Sequence, residues 1–133
     1  MRILLDTNIV IRWRAEPGKL SKNQFRALEE SVRHHEPVAV SAITLIEIAL
    51  LFTDGPLRVK TTTAGNLFEE LRTNPIFQIL PLSIEIAEDV RKMGRELRDP
   101  ADRVIAATAR VHGLRLVTSD QRIIESNLVP TID

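Results

Sequence analysis

The sequence predicts a three-layer α/β/α sandwich around a mainly parallel sheet of four or five strands, formed by a single domain over residues 1–133. Three observations support this fold class. Short, continuously apolar segments, typical of buried parallel strands, alternate with helical segments of ten or more residues. The chain has the length of one domain. Its composition, 44% hydrophobic and 27% charged, is that of a globular protein and excludes the disordered and low-complexity classes.

The first segment of the chain predicts one strand and one helix. Ile3–Leu5 is apolar, so we expect a strand that ends at Asp6 and is followed by a polar turn. Further along, Ser21 is placed to cap a helix that ends near His35. Apolar residues that recur every three or four positions define the expected buried face of this helix: Phe25, Leu28 and Val32.

The middle segment predicts two helices and two strands. They are a strand at 37–40, a helix at 42–52, a helix at 63–72 and a strand at 76–80. Ser41 is placed to cap the first of these helices, and Asp54-Gly55-Pro56 is expected to end it.

The last segment predicts two helices and two strands: helices at 83–97 and 100–112, and strands at 114–118 and 128–129. Ser83 is the expected cap of the first helix. Asp99 and Pro100 are the preferred residue types for the cap and first position of the second. Gly113 is placed to end that helix, because glycine adopts the left-handed conformation that often follows a helix.

Composition also limits the functional classes. The chain has no cysteine, which excludes disulfides, thiolate metal sites and cysteine nucleophiles. Its net charge of 0 means that nucleic-acid binding would depend on local patches. The start of the chain has no signal-peptide pattern, and no apolar run is long enough to span a membrane. We therefore expect a cytoplasmic protein that does not enter a membrane.

Two acidic residues follow predicted strands. Asp6 closes the first strand, and Asp120 follows the strand at 114–118. Ligands of open α/β sheets bind beyond the carboxyl ends of the strands, so both residues are site candidates. The alternative for each is a turn residue that ends a strand without further function.

Glu47 is the only charged residue between Val38 and Phe52. Its neighbours three and four positions away on the predicted helix are mostly apolar, so its carboxylate is expected to be partly buried. A buried carboxylate requires a partner or a metal ion. The alternative is a salt bridge to one of the many arginines.

Asp99 and Asp102 lie at the start of an alanine-rich helix. As the cap and a first-turn residue, both have a purely structural explanation. Asp102, however, shares a helix face with Ile105, Ala106 and Ala109, and so should point towards the edge of the sheet. We therefore favour a functional role for Asp102 and leave both interpretations open for Asp99.

If these acidic residues converge, they need cations, because neighbouring like charges repel strongly. A site made only of oxygen ligands suits Mg²⁺ or Mn²⁺ rather than Zn²⁺. Such ions commonly act on phosphate-containing substrates, which points to metal-assisted hydrolysis of phosphodiester bonds.

Four motifs in this order resemble those of a known family. They are Leu4-Leu5-Asp6-Thr7-Asn8, the segment 41–47, Asp99-Pro100-Ala101-Asp102-Arg103 followed by Ala106-Ala107-Thr108-Ala109, and Leu116-Val117-Thr118-Ser119-Asp120. The chain resembles PIN-domain ribonucleases, in particular the VapC-type toxins of toxin–antitoxin pairs. The resemblance spans essentially the whole chain.

The resemblance implies a Mg²⁺- or Mn²⁺-dependent endoribonuclease that acts on RNA, forms a homodimer and is inhibited by an antitoxin protein. It assigns the catalytic, metal-binding acids to Asp6, Glu47, Asp102 and Asp120, with Asp6 and Asp102 the most direct ligands. An outer role is implied for Asp99 and for small polar residues that would orient carboxylates or water: Thr7, Asn8, Thr118 and Ser119.

Two alternatives to a toxin remain open. One is a PIN domain that acts in RNA processing. The other is a non-catalytic regulatory module that holds a cation, as receiver domains do. Receiver domains pair strand-end acids with a later lysine, and no lysine follows Lys92. A phosphatase with an Asp-x-Asp nucleophile motif is disfavoured because position 8 is asparagine.

Two groups of basic residues are candidates for RNA contacts. One helical face that leads to Asp99 carries Arg91, Arg95 and Arg98, and Arg103 lies just beyond it. Surface solvation is the competing explanation for this group. The segment Arg12-Trp13-Arg14 suits a stacked base or antitoxin docking, although core packing is the more common use of a tryptophan.

Overall fold

The centre of the computed structural model is a sheet of five parallel strands. The structure describes residues 1–53 and 62–133. Its strands are β1 (Ile3–Leu5), β2 (Val38–Ser41), β3 (Phe77–Leu80), β4 (Arg115–Val117) and β5 (Thr131–Ile132). Their order across the sheet is β3-β2-β1-β4-β5, and every neighbouring pair is parallel. The predicted parallel sheet is confirmed.

Seven α-helices connect the strands within the described residues. They are α1 (Thr7–Ala15), α2 (Lys22–Arg33), α3 (Ala42–Leu51), α4 (Ala64–Thr73), α5 (Ile84–Lys92), α6 (Pro100–His112) and α7 (Gln121–Ser126). Local sequence determines most of their starts. Ser21 and Gln24 form a reciprocal capping box, and Ser41, Ser83 and Asp99 cap their helices as predicted. Gly113 ends α6 in the left-handed conformation, with φ of 65°.

The two faces of the sheet bury two separate apolar clusters. Ile3 and Leu5 of β1 lie in a cluster with residues of α1, α2 and α4. Leu4 points to the opposite face and lies in a second cluster with residues of α5, α6 and α7. Alternate side chains of a strand point to opposite faces, so one short apolar strand supplies both layers. The three-layer α/β/α architecture is therefore confirmed.

The predicted polar turn after Asp6 is wrong, because α1 begins at Thr7. The Asp6 carboxylate caps this helix by accepting a hydrogen bond from the backbone N–H of Thr7. Ile9, Val10 and Trp13 then bury one side of α1 against the sheet. Thr7 and Asn8 are the polar first turn of a helix that tertiary packing stabilises.

The predicted buried face of α2 is correct for Leu28 and wrong for Phe25 and Val32. Phe25 and Val32 are 45% and 44% exposed, whereas Gln24 and Ser31 are buried beside Leu28. The helix is rotated relative to its apolar stripe because Gln24 forms hydrogen bonds inside the protein. The side chain of Gln24 donates to Ser119 Oγ at 2.8 Å and to the carbonyl of Thr118 at 3.3 Å.

Helix α5 ends at Lys92 rather than near residue 97. Met93 is already extended, with ψ of 141°. Arg103 of α6 donates hydrogen bonds to the carbonyls of Val90, Met93, Gly94 and Leu97. These bonds satisfy carbonyl groups at the helix end and hold the connecting loop, so the helix need not continue.

The last predicted strand, at 128–129, is displaced. The strand that pairs with β4 is β5, at Thr131–Ile132, and the unpredicted helix α7 precedes it. The predicted helix stop at Asp54-Gly55-Pro56 lies outside the described residues. Over the part of the chain that the structure describes, no helix is long and apolar enough to cross a membrane.

Candidate functional site

The acidic residues after β1 and β4 lie at the carboxyl edge of the sheet, where two central strands are neighbours. Asp6 directly follows β1, and Asp120 caps α7 three residues beyond β4. From β1 the chain moves outward to β2 and β3 on one side, and later returns to β4 on the other. The crevice at such a reversal of strand order is the usual ligand site of open α/β sheets.

Asp6 is a buried carboxylate with two hydrogen-bond donors. Its Oδ1 accepts from the backbone N–H of Thr7 at 2.8 Å, and its Oδ2 accepts from the hydroxyl of Thr118 at 2.7 Å. Burial raises the pKa of Asp6, the hydrogen bonds from Thr118 and Thr7 oppose that shift, and the charge of Asp120 raises the pKa further. Both oxygens are therefore held in place, while the charge is stabilised only in part.

Thr118 connects Asp6 to Asp120. Its hydroxyl, fully buried, donates to Asp6 and accepts from the backbone N–H of Asp120 at 3.0 Å. The next residue, Ser119, is exposed, and its hydroxyl accepts from Gln24 and, at 3.2 Å, from Arg12. Helices α1 and α2 thus fix the loop that carries Asp120.

Glu47 reaches the same edge from α3. Its Oε1 accepts a hydrogen bond from the Thr7 hydroxyl at 2.5 Å, and that hydroxyl also lies 2.9 Å from the hydroxyl of Thr44. Burial raises the pKa of Glu47, and the charges of Asp6 and Asp99 raise it further, against the hydrogen bond from Thr7. Among the described residues, no arginine forms a salt bridge with Glu47. The alternative explanation of Glu47 as half of a salt bridge is therefore not supported by the described part of the chain.

Asp102 is the least compensated carboxylate of the group. It lies half-buried on the first turn of α6, after Asp99 has capped the helix by accepting from the backbone N–H of Asp102 at 3.0 Å. Within residues 1–53 and 62–133, no hydrogen bond or ion pair engages the Asp102 carboxylate. Burial raises its pKa to about 7, with further contributions from the charges of Asp99, Asp6, Asp120 and Glu47.

The structure therefore brings the five predicted acids near one another, but it does not close them into a cage. Over the described residues, no three acidic or histidine side chains lie close enough to enclose a metal ion. The donors available are all carboxylate and hydroxyl oxygens, which is the ligand set of Mg²⁺ or Mn²⁺. The donor chemistry and the uncompensated charge of Asp102 fit such an ion.

The smaller polar residues divide into two groups. Thr7 and Thr118 are buried and hold carboxylates directly. Ser119 instead receives hydrogen bonds from other helices, and Asn8 is exposed on the first turn of α1. Sequence reasoning missed Gln24, and it considered Arg12 only as part of the segment Arg12-Trp13-Arg14, not as a partner of Ser119. The Ser21-x-x-Gln24 spacing was visible as a capping box, but nothing in it indicated the second set of bonds to the loop after β4.

The predicted arginine face is only partly correct. Arg103 is engaged with four backbone carbonyls and so acts in the structure of the loop. Arg91 lies in the last turn of α5 and pairs with Glu88 at 3.7 Å. Arg95 and Arg98 lie in the loop after α5, where they line a cleft of about 170 Å³ together with Asp99 and Asp102. Because the helix ends at Lys92, Arg91, Arg95 and Arg98 do not share one helical face.

The fold and the acidic edge of the sheet together define the class of protein. A family model described as PIN domain matches residues 3–126, and the chain belongs to this family. The protein named Ribonuclease VapC22, from Mycobacterium tuberculosis, is 32% identical over an alignment that covers 91% of this chain and 88% of that protein.

Two solved structures share this fold. VapBC2 from Rickettsia felis, bound to a DNA fragment from its promoter, matches with a TM-score of 0.73 at 17% identity, over 98% of this chain and 97% of that chain. A toxin-antitoxin complex from Klebsiella pneumoniae matches with a TM-score of 0.61 at 27% identity, over 96% and 94% of the two chains.

Proposed function

We propose that this protein is a Mg²⁺- or Mn²⁺-dependent endoribonuclease and the toxin of a VapBC-type toxin–antitoxin pair. The observation that carries the nuclease proposal is Asp102, a half-buried carboxylate with no donor among the described residues and with acids on several sides. Such an arrangement opposes folding unless a cation binds. Its position at the switch point of a parallel sheet, in a member of the PIN domain family, favours a catalytic ion.

In this proposal Asp6 and Asp102 bind the cation most directly, and Glu47 and Asp120 complete the site. The metal, when bound, activates water and stabilises the negative charge that develops on the phosphate. Thr7 and Thr118 hold the oxygens of Glu47 and Asp6 in fixed directions.

The reaction would be hydrolysis of an RNA phosphodiester bond. The oxygen of water bonds to phosphorus, one bond from phosphorus to a ribose oxygen breaks, and that oxygen leaves with a proton. Asp120 and Glu47 are the carboxylates placed to accept the proton released from water, since they would be the less direct ligands.

The toxin role rests on the names of the related proteins. The relative at 32% identity is called Ribonuclease VapC22, and a structural match at 27% identity is titled a toxin-antitoxin complex. We therefore propose RNA as the substrate, a cognate antitoxin as the inhibitor, a homodimer as the active form and the cytoplasm as the place of action.

Cleavage of a mixture of tRNA and rRNA tests the nuclease proposal. Wild-type protein is incubated with Mg²⁺ or Mn²⁺, with excess chelator, and after metal is restored. The matched variant is Asp6→Asn, because asparagine caps a helix as well as aspartate but removes the charge. Discrete fragments that require both metal and Asp6 support the proposal. Equal behaviour of wild type and variant at every metal concentration would reject it.

Expression in a bacterial host tests the toxin role separately. Wild-type protein should stop growth, Asp6→Asn should not, and co-expression of the protein encoded by the adjacent gene should restore growth. Light scattering of the purified protein checks the homodimer. Metal-dependent cleavage without growth arrest would instead favour a PIN domain in RNA processing.

A further inference from the structure

The cleft beside Asp102 combines unpaired cations with uncompensated anions. It is lined by Arg95, Glu96, Leu97, Arg98, Asp99, Asp102 and Arg122. Within residues 1–53 and 62–133, neither Arg95 nor Arg98 has an ion pair or hydrogen bond. Arg122, on α7, lies 3.6 Å from Asp120. Arg95 and Arg98 therefore share one cleft with Asp99 and Asp102 without forming an ion pair with them.

The loop that carries these arginines is fixed to the site. Arg103, one position after Asp102, donates to the carbonyls of Gly94 and Leu97 at 2.8 and 2.6 Å. Leu97 is 1% exposed and anchors the loop in the apolar cluster of α5 and α6. Arg95 and Arg98 are thus presented next to Asp102 by a backbone that is already ordered, which reduces the entropy lost on binding a ligand.

The charges in the cleft select the kind of ligand. An acidic peptide would be repelled by Asp99 and Asp102, and a cation bound to these carboxylates would leave Arg95 and Arg98 without a partner. A phosphodiester chain satisfies both groups. One phosphate can share a metal ion with the carboxylates, while the next phosphates accept from the guanidinium groups.

We propose that Arg95 and Arg98 form a clamp for the RNA phosphates that flank the bond to be cleaved, in a cleft that Arg122 of α7 also lines. This inference rests on the proposed nuclease function, for which it names the residues that position the substrate. Because the contacts are to phosphates, the clamp holds RNA regardless of base sequence.

Binding of a fluorescent single-stranded RNA, measured by anisotropy with chelator present, tests the clamp without cleavage. The variant is Arg95→Gln/Arg98→Gln. The matched control is Arg91→Gln, which removes an exposed arginine of the same segment that does not line the cleft. Each lost phosphate contact should reduce the slope of log K against log salt by about 0.7, so the double variant should lose about 1.4. Thermal melting of each variant checks that it is folded.

The outcomes separate the clamp from the nuclease. A shallower salt slope and weaker binding in the double variant, with Arg91→Gln unchanged, support the clamp even if no metal gives cleavage. With metal, the double variant should show a raised KM and a nearly unchanged kcat. Metal-dependent cleavage with the same salt slope in all three proteins would overturn the clamp but not the nuclease. The clamp is also rejected if wild type binds no RNA, or if polyglutamate of equal charge competes as well as RNA.

Discussion

Charged groups are arranged differently at the two ends of the parallel sheet. At the amino end, oppositely charged groups are paired: the Arg14 guanidinium lies 4.2 Å from the centre of the Trp13 ring and 3.0 Å from Glu70. Glu36 accepts from the terminal amine of Met1 at 3.2 Å. At the carboxyl end, like charges gather, and the pKa of Asp102 rises to about 7.

This difference indicates which end was shaped by stability and which by function. The amino end packs Trp13 edge-on against Phe77, with 5.5 Å between the ring centroids, and pairs Arg14 with Glu70; these contacts favour folding. The carboxyl end keeps carboxylates in an arrangement that opposes folding when no cation is present. A substitution at the amino end should therefore lower stability but not activity, and a substitution at the carboxyl end should lower activity but not stability.

The largest effect is expected for Asp102→Asn. Loss of a metal-binding carboxylate should lower cleavage by about 1000-fold, since metal binding supplies several kcal/mol of transition-state stabilisation. The matched control is Asp99→Asn, which removes a neighbouring charge but keeps the helix cap. It should retain activity within about tenfold. Equal losses in the two variants would show that Asp99 belongs to the inner site.

Trp13→Ala should produce the reverse combination. Removing this buried ring should reduce the free energy of unfolding by about 3 kcal/mol or more. Urea denaturation measures that loss, and Trp13→Phe should recover part of it because a ring remains against Phe77. Activity per folded molecule should be unchanged. A specific loss of cleavage in fully folded Trp13→Ala would contradict the assignment of the amino end to stability.

Thr118→Val should weaken the site by about 10- to 100-fold in metal affinity or activity, because it leaves Asp6 without the donor that orients it. The hydrogen bond from Thr118 lowers the pKa of Asp6, so its removal should also move the pH dependence of cleavage upwards. Thr118→Ser keeps the hydroxyl and should restore both values. A purely structural role for Thr118 would lower stability without moving the pH profile.

The smallest effect concerns stability and pH in metal-free protein. The pKa of Asp102 is about 7 in the folded state against an ordinary value of 3.8, so the folded protein binds this proton more tightly than the unfolded chain. The corresponding stabilisation is complete below about pH 4 and is lost as the pH rises through 7. Asp102→Asn should therefore melt a few degrees above wild type at pH 8. The two should converge towards pH 4.

Melting curves of both proteins in chelator across this range give that difference. Addition of Mg²⁺ at pH 8 should raise the melting temperature of wild type more than that of Asp102→Asn. If the difference between the proteins stayed constant from pH 4 to pH 8, the pKa of Asp102 would not be raised.

Local signals in the sequence predicted most elements well. Helix α6 begins and ends where Asp99, Pro100 and Gly113 indicate, because a cap, a preformed φ and a left-handed stop act within a few residues. The end of α5 was missed because it depends on Arg103, which is ten residues away from the carbonyl of Met93. The rotation of α2 depends similarly on Gln24 and the distant loop at Ser119.

By itself, the sequence determined the alternation of strands and helices, the two-sided burial of β1 and the set of acidic residues that carry the proposed chemistry. These features follow from the residue types themselves and from the spacing of apolar residues along the chain, which repeats every two residues in a strand and every 3.6 residues in a helix. The tertiary structure alone decided which groups meet. It joined Thr118 to Asp6 across 112 positions and Thr7 to Glu47 across 40, and it left Asp102 without a donor among the described residues. Contacts at such separations depend on strand order and helix rotation, which no local pattern encodes.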